Sequence, residues 1–174
     1  MKKVLATNSL VLAVAPSSRG LGFGVLEGER TLVHWGVKAI DGDKNKGSIA
    51  KVEELIARYH PGMIVLEDYS AKDSRRCPWI RGLGKKIVET AKNRQITVAL
   101  LSREKVRKVF FMDSQGTKDS LAEMLAARFS EELGPRLPPK RRTWMSKDYR
   151  MDIFDAVALA VAFRLTKPRK VSYR

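Results

Sequence analysis

Apolar positions along the chain fall into two periodicities, and their order gives the elements. Ser9 to Val14 is a short continuous apolar run closed by Pro16-Ser17-Ser18-Arg19-Gly20, the pattern of a strand buried on both faces and ended by a turn. Leu21 to Leu26, rich in Gly, Phe and Val, predicts a second strand, and Glu27-Gly28-Glu29-Arg30 a hairpin into a third over Thr31 to Lys38. Three strands with such short connections form an antiparallel meander.

The spacing then lengthens. Ile49, Val52, Ile56 and Tyr59 recur every three or four residues behind Ser48, a candidate N-cap, and His60-Pro61-Gly62 stops that helix. Met63 to Leu66 predicts a fourth strand, Trp79 to Asn93 a helix, and Ile96 to Leu101 a fifth strand. Ser102 and Thr117 would cap helices running to about Phe111 and Glu131. A Pro-rich basic loop, Leu133 to Arg142, precedes a last helix over Lys147 to Arg164, and Lys167 to Arg174 is a basic tail read as disordered. A meander followed by strand–helix–strand crossovers predicts an α/β fold, with one mixed five-stranded sheet flanked by helices. The first and fourth strands should be parallel neighbours in the middle, their C-terminal ends on the edge where open α/β sheets bind ligands. No repeat or long linker divides the chain, so one domain over 1–174 is expected, its core at about 9–165 and its tail at 166–174.

Composition narrows the function. The charge of +15, from Lys+Arg 34 against Asp+Glu 19, calls for a polyanionic partner. No apolar run approaches the roughly 20 residues of a membrane helix. A single cysteine, Cys77, excludes an internal disulfide framework and a cysteine-rich zinc site. Lys2-Lys3 ahead of Leu10-Val11-Leu12-Ala13-Val14-Ala15 imitates a secretory leader. Thr7-Asn8-Ser9 breaks its apolar run and Pro16 follows its cleavage box, so a first strand and a cytoplasmic location are expected.

Candidate chemistry lies in carboxylates. Glu67 and Asp68 end the fourth strand, and since neighbouring strand residues face opposite ways only one can serve a given site. Asp152 and Asp155, three apart, share a face at the start of the last helix. Their bland reading is complementarity to the helix dipole, with Asp148 as a cap. Ala156 to Phe163, however, is apolar on every side, so Asp155 heads a segment entering the core, where a carboxylate needs a cation or hydrogen-bond partner. Carboxylates converging there would suit Mg²⁺, or Mn²⁺ in its place. His34 and His60 read as structural, Phe23 and Trp35 as core of the meander, and Cys77 as a small loop residue. Gly20-Leu21-Gly22-Phe23-Gly24 has the glycines of a phosphate loop but is followed by a strand, where a nucleotide motif needs a helix.

From about Leu10 to Phe163 the chain resembles the RuvC-type Holliday junction resolvases, members of the ribonuclease H-like nucleases. The resemblance rests on Leu12-Ala13-Val14-Ala15-Pro16-Ser17-Ser18-Arg19-Gly20-Leu21-Gly22-Phe23-Gly24, Val65-Leu66-Glu67, Thr117-Lys118-Asp119 and Asp152-Ile153-Phe154-Asp155-Ala156. It implies a ribonuclease H-like fold and metal ligands at Glu67, Asp152 and Asp155. Lys118 is then a further catalytic contact to phosphate, and a homodimer would act on a four-way DNA junction. The resemblance also implies an Asp ending strand one, and this chain has Ala15 there.

Between Lys72 and Lys108 stand twelve basic residues against three acidic ones, and Lys140-Arg141-Arg142-Thr143-Trp144 adds a second cluster with an aromatic. Such clusters suit phosphate contact and base stacking. Arg75, Arg76, Arg81, Lys85, Lys105, Lys108, Lys118, Arg141 and Arg142 are the candidate DNA contacts. Three functions compete. One is a structure-selective DNA endonuclease resolving Holliday junctions by Mg²⁺-dependent phosphodiester hydrolysis. Another is a catalytically inactive branched-DNA-binding protein on the same fold, as Ala15 suggests. The third, a sugar-kinase or actin-like ATPase, needs two such domains and a far longer chain.

Overall fold

The computed structural model describes residues 10–72, 74–112, 115–166 and 170–171. Strands β1 (Val11–Pro16), β2 (Gly20–Glu27) and β3 (Thr31–Ala39) form the antiparallel meander. After helix α1 (Lys44–Tyr59), strand β4 (Met63–Glu67) pairs parallel with β1. After α2 (Pro78–Asn93), β5 (Thr97–Leu101) pairs parallel with β4. Helices α3 (Arg103–Phe110), α4 (Lys118–Arg128) and α5 (Met151–Leu165) follow.

The mixed sheet predicted from the pattern is present, with β1 and β4 adjacent in its middle, and it carries one strand more than expected. The order is β3-β2-β1-β4-β5-β6, where β6 is the short Lys170–Val171 segment antiparallel to β5. The basic tail read as disordered thus contributes an edge strand. Two residues are too few to show an alternation, so nothing in the pattern marked it.

Alternation sorts each strand between two cores. Leu12, Val14, Ile64 and Leu66 join α1 and α2 through Val52, Leu55, Leu83 and Ile87. Val11, Ala13, Met63 and Val65 face α3, α4 and α5 through Val106, Leu125, Phe129 and Val157. Phe23 is buried in the first of these cores, while Trp35 packs half-buried against the second. Helix α5 is buried all round its circumference, which is why its sequence shows no polar face.

The glycines of β2 explain how α5 lies so close to the sheet. A Cβ on Gly22 would fall 2.2 Å from the backbone oxygen of Asp152, and one on Gly24 would fall 2.9 Å from Val157 Cγ2. Gly22 and Gly24 therefore form a packing groove for α5, while a Cβ on Gly20 would meet the backbone of Lys38 in β3.

Several boundaries move. Ser48 is not the cap of α1 but is buried inside it; Asp43 caps it, Oδ1 accepting the backbone N–H of Lys46 at 3.1 Å. The first turn, Lys44-Asn45-Lys46-Gly47, is polar apart from Gly47, so the apolar rhythm begins one turn late. The last helix begins at Met151, not Lys147: Asp148 accepts the Arg150 N–H in a turn just ahead of it. Helix α4 ends at Arg128 rather than near Glu131. The first strand runs Val11–Pro16, and Ser9, its expected start, lies outside the described residues. The structural readings of the histidines fit what is seen. His34 Nδ1 lies 2.7 Å from the Tyr59 hydroxyl, and His60 closes α1 with φ of 45°.

Candidate nucleic-acid interface and carboxylate cluster

Three parallel or near-parallel ends meet at one edge of the sheet. The β1–β4 register sets Ala13 beside Val65, so Ala15, next to last in β1, and Glu67, last in β4, lie at the strand ends on the face that carries α5. They line one pocket with Arg76, Arg103, Arg107, Lys118 and Asp155, over an apolar floor that includes Leu101, Val106, Leu121, Ala158 and Leu159.

Glu67 is buried, and both its oxygens are taken. Arg76 donates from Nε and Nη2 to Oε2 at 3.2 and 3.1 Å, and Arg103 donates from Nε to Oε1 at 2.8 Å. Arg103 heads α3, directly after β5, whose C-terminal end lies beside that of β4. Asp68 faces away and closes a turn, Oδ1 accepting from the backbone N–H and hydroxyl of Ser70.

On α5 the two aspartates share one lysine. Lys147 Nζ donates to Asp152 Oδ1 at 2.7 Å and to Asp155 Oδ2 at 2.9 Å, while Lys118 Nζ, from the first turn of α4, reaches Asp155 Oδ2 at 3.3 Å. Burial works to raise the Asp155 carboxyl, but the Lys118 and Lys147 ammoniums outweigh it and hold it below its ordinary value. Lys147 is raised: its two aspartates more than offset its own desolvation. Lys118 is lowered, by burial first and then by Lys147, Arg76 and Arg103, which outweigh Asp155. Behind Glu67, burial and then the Glu67 charge push the Tyr69 phenol far up.

The predicted residues separate into groups. Glu67, Asp155, Lys118 and Arg76 line the pocket, and Asp152 is tied to it through Lys147. Arg141 lines a second cleft with Arg19, Lys118 and Lys147, beside Pro138, Pro139 and Tyr149. Lys118 lines both clefts, so they form one positive surface. Arg81 is exposed but engaged, donating to the backbone oxygens of Arg76 and Ser74 at 3.0 and 3.1 Å, and so fixes the segment before α2. Lys85 lies on α2, in a hollow against Tyr69 and Val88 on the sheet's other side. Lys108 pairs with Glu104 along α3, and Arg75, Lys105 and Arg142 are exposed. The site reading omitted Arg103 and Lys147. A positive residue just after a strand that ends on the ligand edge was the available signal for Arg103. Lys147, expected inside the last helix, offered none.

A pair of divalent cations does not fit these residues. Ala15 offers no ligand, and all three carboxylates are bound to fixed positive side chains. Among the described residues no group of three or more His, Cys, Asp or Glu converges as a metal-holding set.

A mixed sheet in the order 3-2-1-4-5, with one helix pair behind it and the last helix crossing its front, is the ribonuclease H-like fold. Within that class its fold is the one seen in RuvC. In sequence the chain matches no family model and no curated relative. In structure it is similar to Thermus thermophilus RuvC at TM-score 0.67 and 17% identity, over 93% of this chain and 99% of that one. It is similar to T. thermophilus RuvC in complex with Holliday junction substrate at TM-score 0.68 and 17% identity, over 94% and 99%. The yeast mitochondrial Holliday junction resolvase aligns at TM-score 0.55 and 12% identity, over 90% of this chain and 79% of its own.

Proposed function

We propose that this protein recognises branched DNA, with a four-way junction as its preferred partner. The observation that carries the reading is the joined positive surface at the sheet edge, Arg19, Lys118, Arg141 and Lys147 running into Arg76, Arg103 and Arg107. The fold supports it, because one of the similar structures is a RuvC holding that kind of substrate. A junction is close to two-fold symmetric, and a C₂ homodimer would match it.

Strand cleavage divides the proposal. The fold comparisons speak for a resolvase-like nuclease, which would hydrolyse phosphodiesters with Mg²⁺ or Mn²⁺, and they lend nothing to a non-catalytic binder. What supports the binder is the site: Ala15 where a ligand would stand, and Glu67, Asp152 and Asp155 each bound by the chain's own cations. We take binding as the function this geometry supports best and cleavage as the second reading.

Competition between a four-way junction and linear duplex at fixed salt tests the first statement. Tighter junction binding that weakens steeply with salt is expected, and equal affinity overturns it. Incubating Ala15→Asp with junctions, flaps and bubbles in Mg²⁺ and Mn²⁺ tests the second. An inert variant upholds the binder; Mg²⁺-dependent nicking, abolished again by Glu67→Gln, establishes the nuclease.

A further inference from the structure

We infer that the pocket at the ends of β1 and β4 is a metal-independent seat for one DNA phosphodiester, held by Arg76, Arg103 and Lys118 of its lining and by Lys147, which reaches Asp155 from the adjoining cleft. The inference rests on the branched-DNA reading and says where, and with what, that reading grips the backbone.

The layering of charge is the first argument. The side chains of Asp152, Glu67 and Asp155 are 4%, 10% and 19% exposed, against 31%, 33% and 43% for Arg103, Lys147 and Lys118. Arg76, at 17%, fills the space between the two layers. The carboxylates thus form an inner layer, and an approaching ligand meets mostly ammonium and guanidinium groups. Such a surface repels a hydrated divalent cation and attracts an anion.

Charge count is the second. Among the described residues four cations lie in direct contact with three carboxylates, and Arg107 lines the same pocket without a carboxylate beside it there. The excess is positive. Arg76 and Arg103 present further N–H groups beyond those given to Glu67, and a guanidinium fork suits phosphate oxygens.

Space is the third. Ala15 ends in a methyl group at the pocket wall, and any longer acidic side chain there would add a negative charge facing the same cations. The carboxylates then act as positioning groups. They fix the cations at the sheet edge, so that little side-chain freedom is lost when a phosphate binds.

The sign of one substitution tests this. Asp155→Asn keeps the shape of the side chain and releases charge on Lys118 and Lys147. Junction affinity of the full chain is measured by fluorescence anisotropy at matched ionic strength, in EDTA and in Mg²⁺. The seat predicts that Asp155→Asn binds about threefold tighter in both, because one negative charge beside the phosphate is gone. It also predicts that Lys147→Met lowers the slope of log affinity against log salt by about 1. Tightening in EDTA that reverses in Mg²⁺ overturns the inference, because it marks Asp155 as a metal ligand. Unchanged affinity for both variants overturns it as well. Junctions carrying a single methylphosphonate near the crossover keep the test independent of protein folding. One neutralised phosphate should weaken wild-type binding and weaken Lys147→Met by less, and the absence of any such position overturns the seat. If duplex and junction respond alike to these changes, the seat stands and the branched-DNA reading fails, so the two failures are separable.

Discussion

Two neighbouring strands end on the same edge and face the same helix, yet they end differently. β4 closes on Glu67, whose carboxylate is buried and engaged by two arginines from two other elements. β1 carries at the matching place, one residue before its last, Ala15, which is buried, apolar and without any polar demand. A carboxylate removed from water needs charged partners, and supplying them draws Arg76 from the segment before α2 and Arg103 from the start of α3 to the sheet edge. A methyl group makes no such demand and leaves those cations in excess. The contrast teaches that the side chains ending two neighbouring strands set the charge balance of a site while the sheet beneath them stays regular.

Making the two ends alike is the largest disturbance. Glu67→Ala would leave the Arg76 and Arg103 guanidiniums facing each other without their counter-ion. Breaking a largely buried pair in this way costs about 3 kcal/mol, read as a lower urea midpoint at unchanged slope. Glu67→Gln should cost less, since its amide oxygen still accepts an N–H. If Glu67→Ala were neutral, the charged strand end would be a solvated surface group rather than an organiser of the site.

A smaller effect sharpens the same contrast through pH. Asp155 is held below its ordinary 3.8, so its contribution is present above that value and lost as pH falls through the lower, folded one. Lys147 is held above its ordinary 10.5, so its contribution is present below 10.5 and lost as pH rises through the folded value. Lys118 is lowered and works the other way, recovering stability as pH climbs towards 10.5 and blunting the alkaline loss. Stability of the wild type should therefore be flat through neutral pH and fall more sharply in acid than in alkali. In Asp155→Asn the acid limb should shrink. An unchanged acid limb would remove Asp155 from the stabilising network.

Much of this architecture was readable from periodicity alone. The continuous apolar runs of β1 and β4 mark strands buried on both faces, and the helices between β3, β4 and β5 force the parallel order. Local chemistry was harder to read where it opposed the rhythm. Asp43 sits ahead of a polar first turn, so Ser48 looked like the cap; Lys170–Val171 is too short to alternate. At the site the acidic positions stood out because each closes a strand or opens an apolar helix. The cations above them did not. A sequence gives the number of arginines and lysines but not which of them lies over which carboxylate, and Arg103 and Lys147 reach theirs from 36 and 5 residues away.

The central claim is that the chain's own cations occupy the carboxylates at the sheet edge. Anomalous diffraction from crystals soaked in MnCl₂ tests it most directly. The account predicts no manganese peak at Glu67, Asp152 or Asp155, with Lys147 still bridging the two aspartates. A peak between Asp152 and Asp155, with Lys147 swung away, would contradict it.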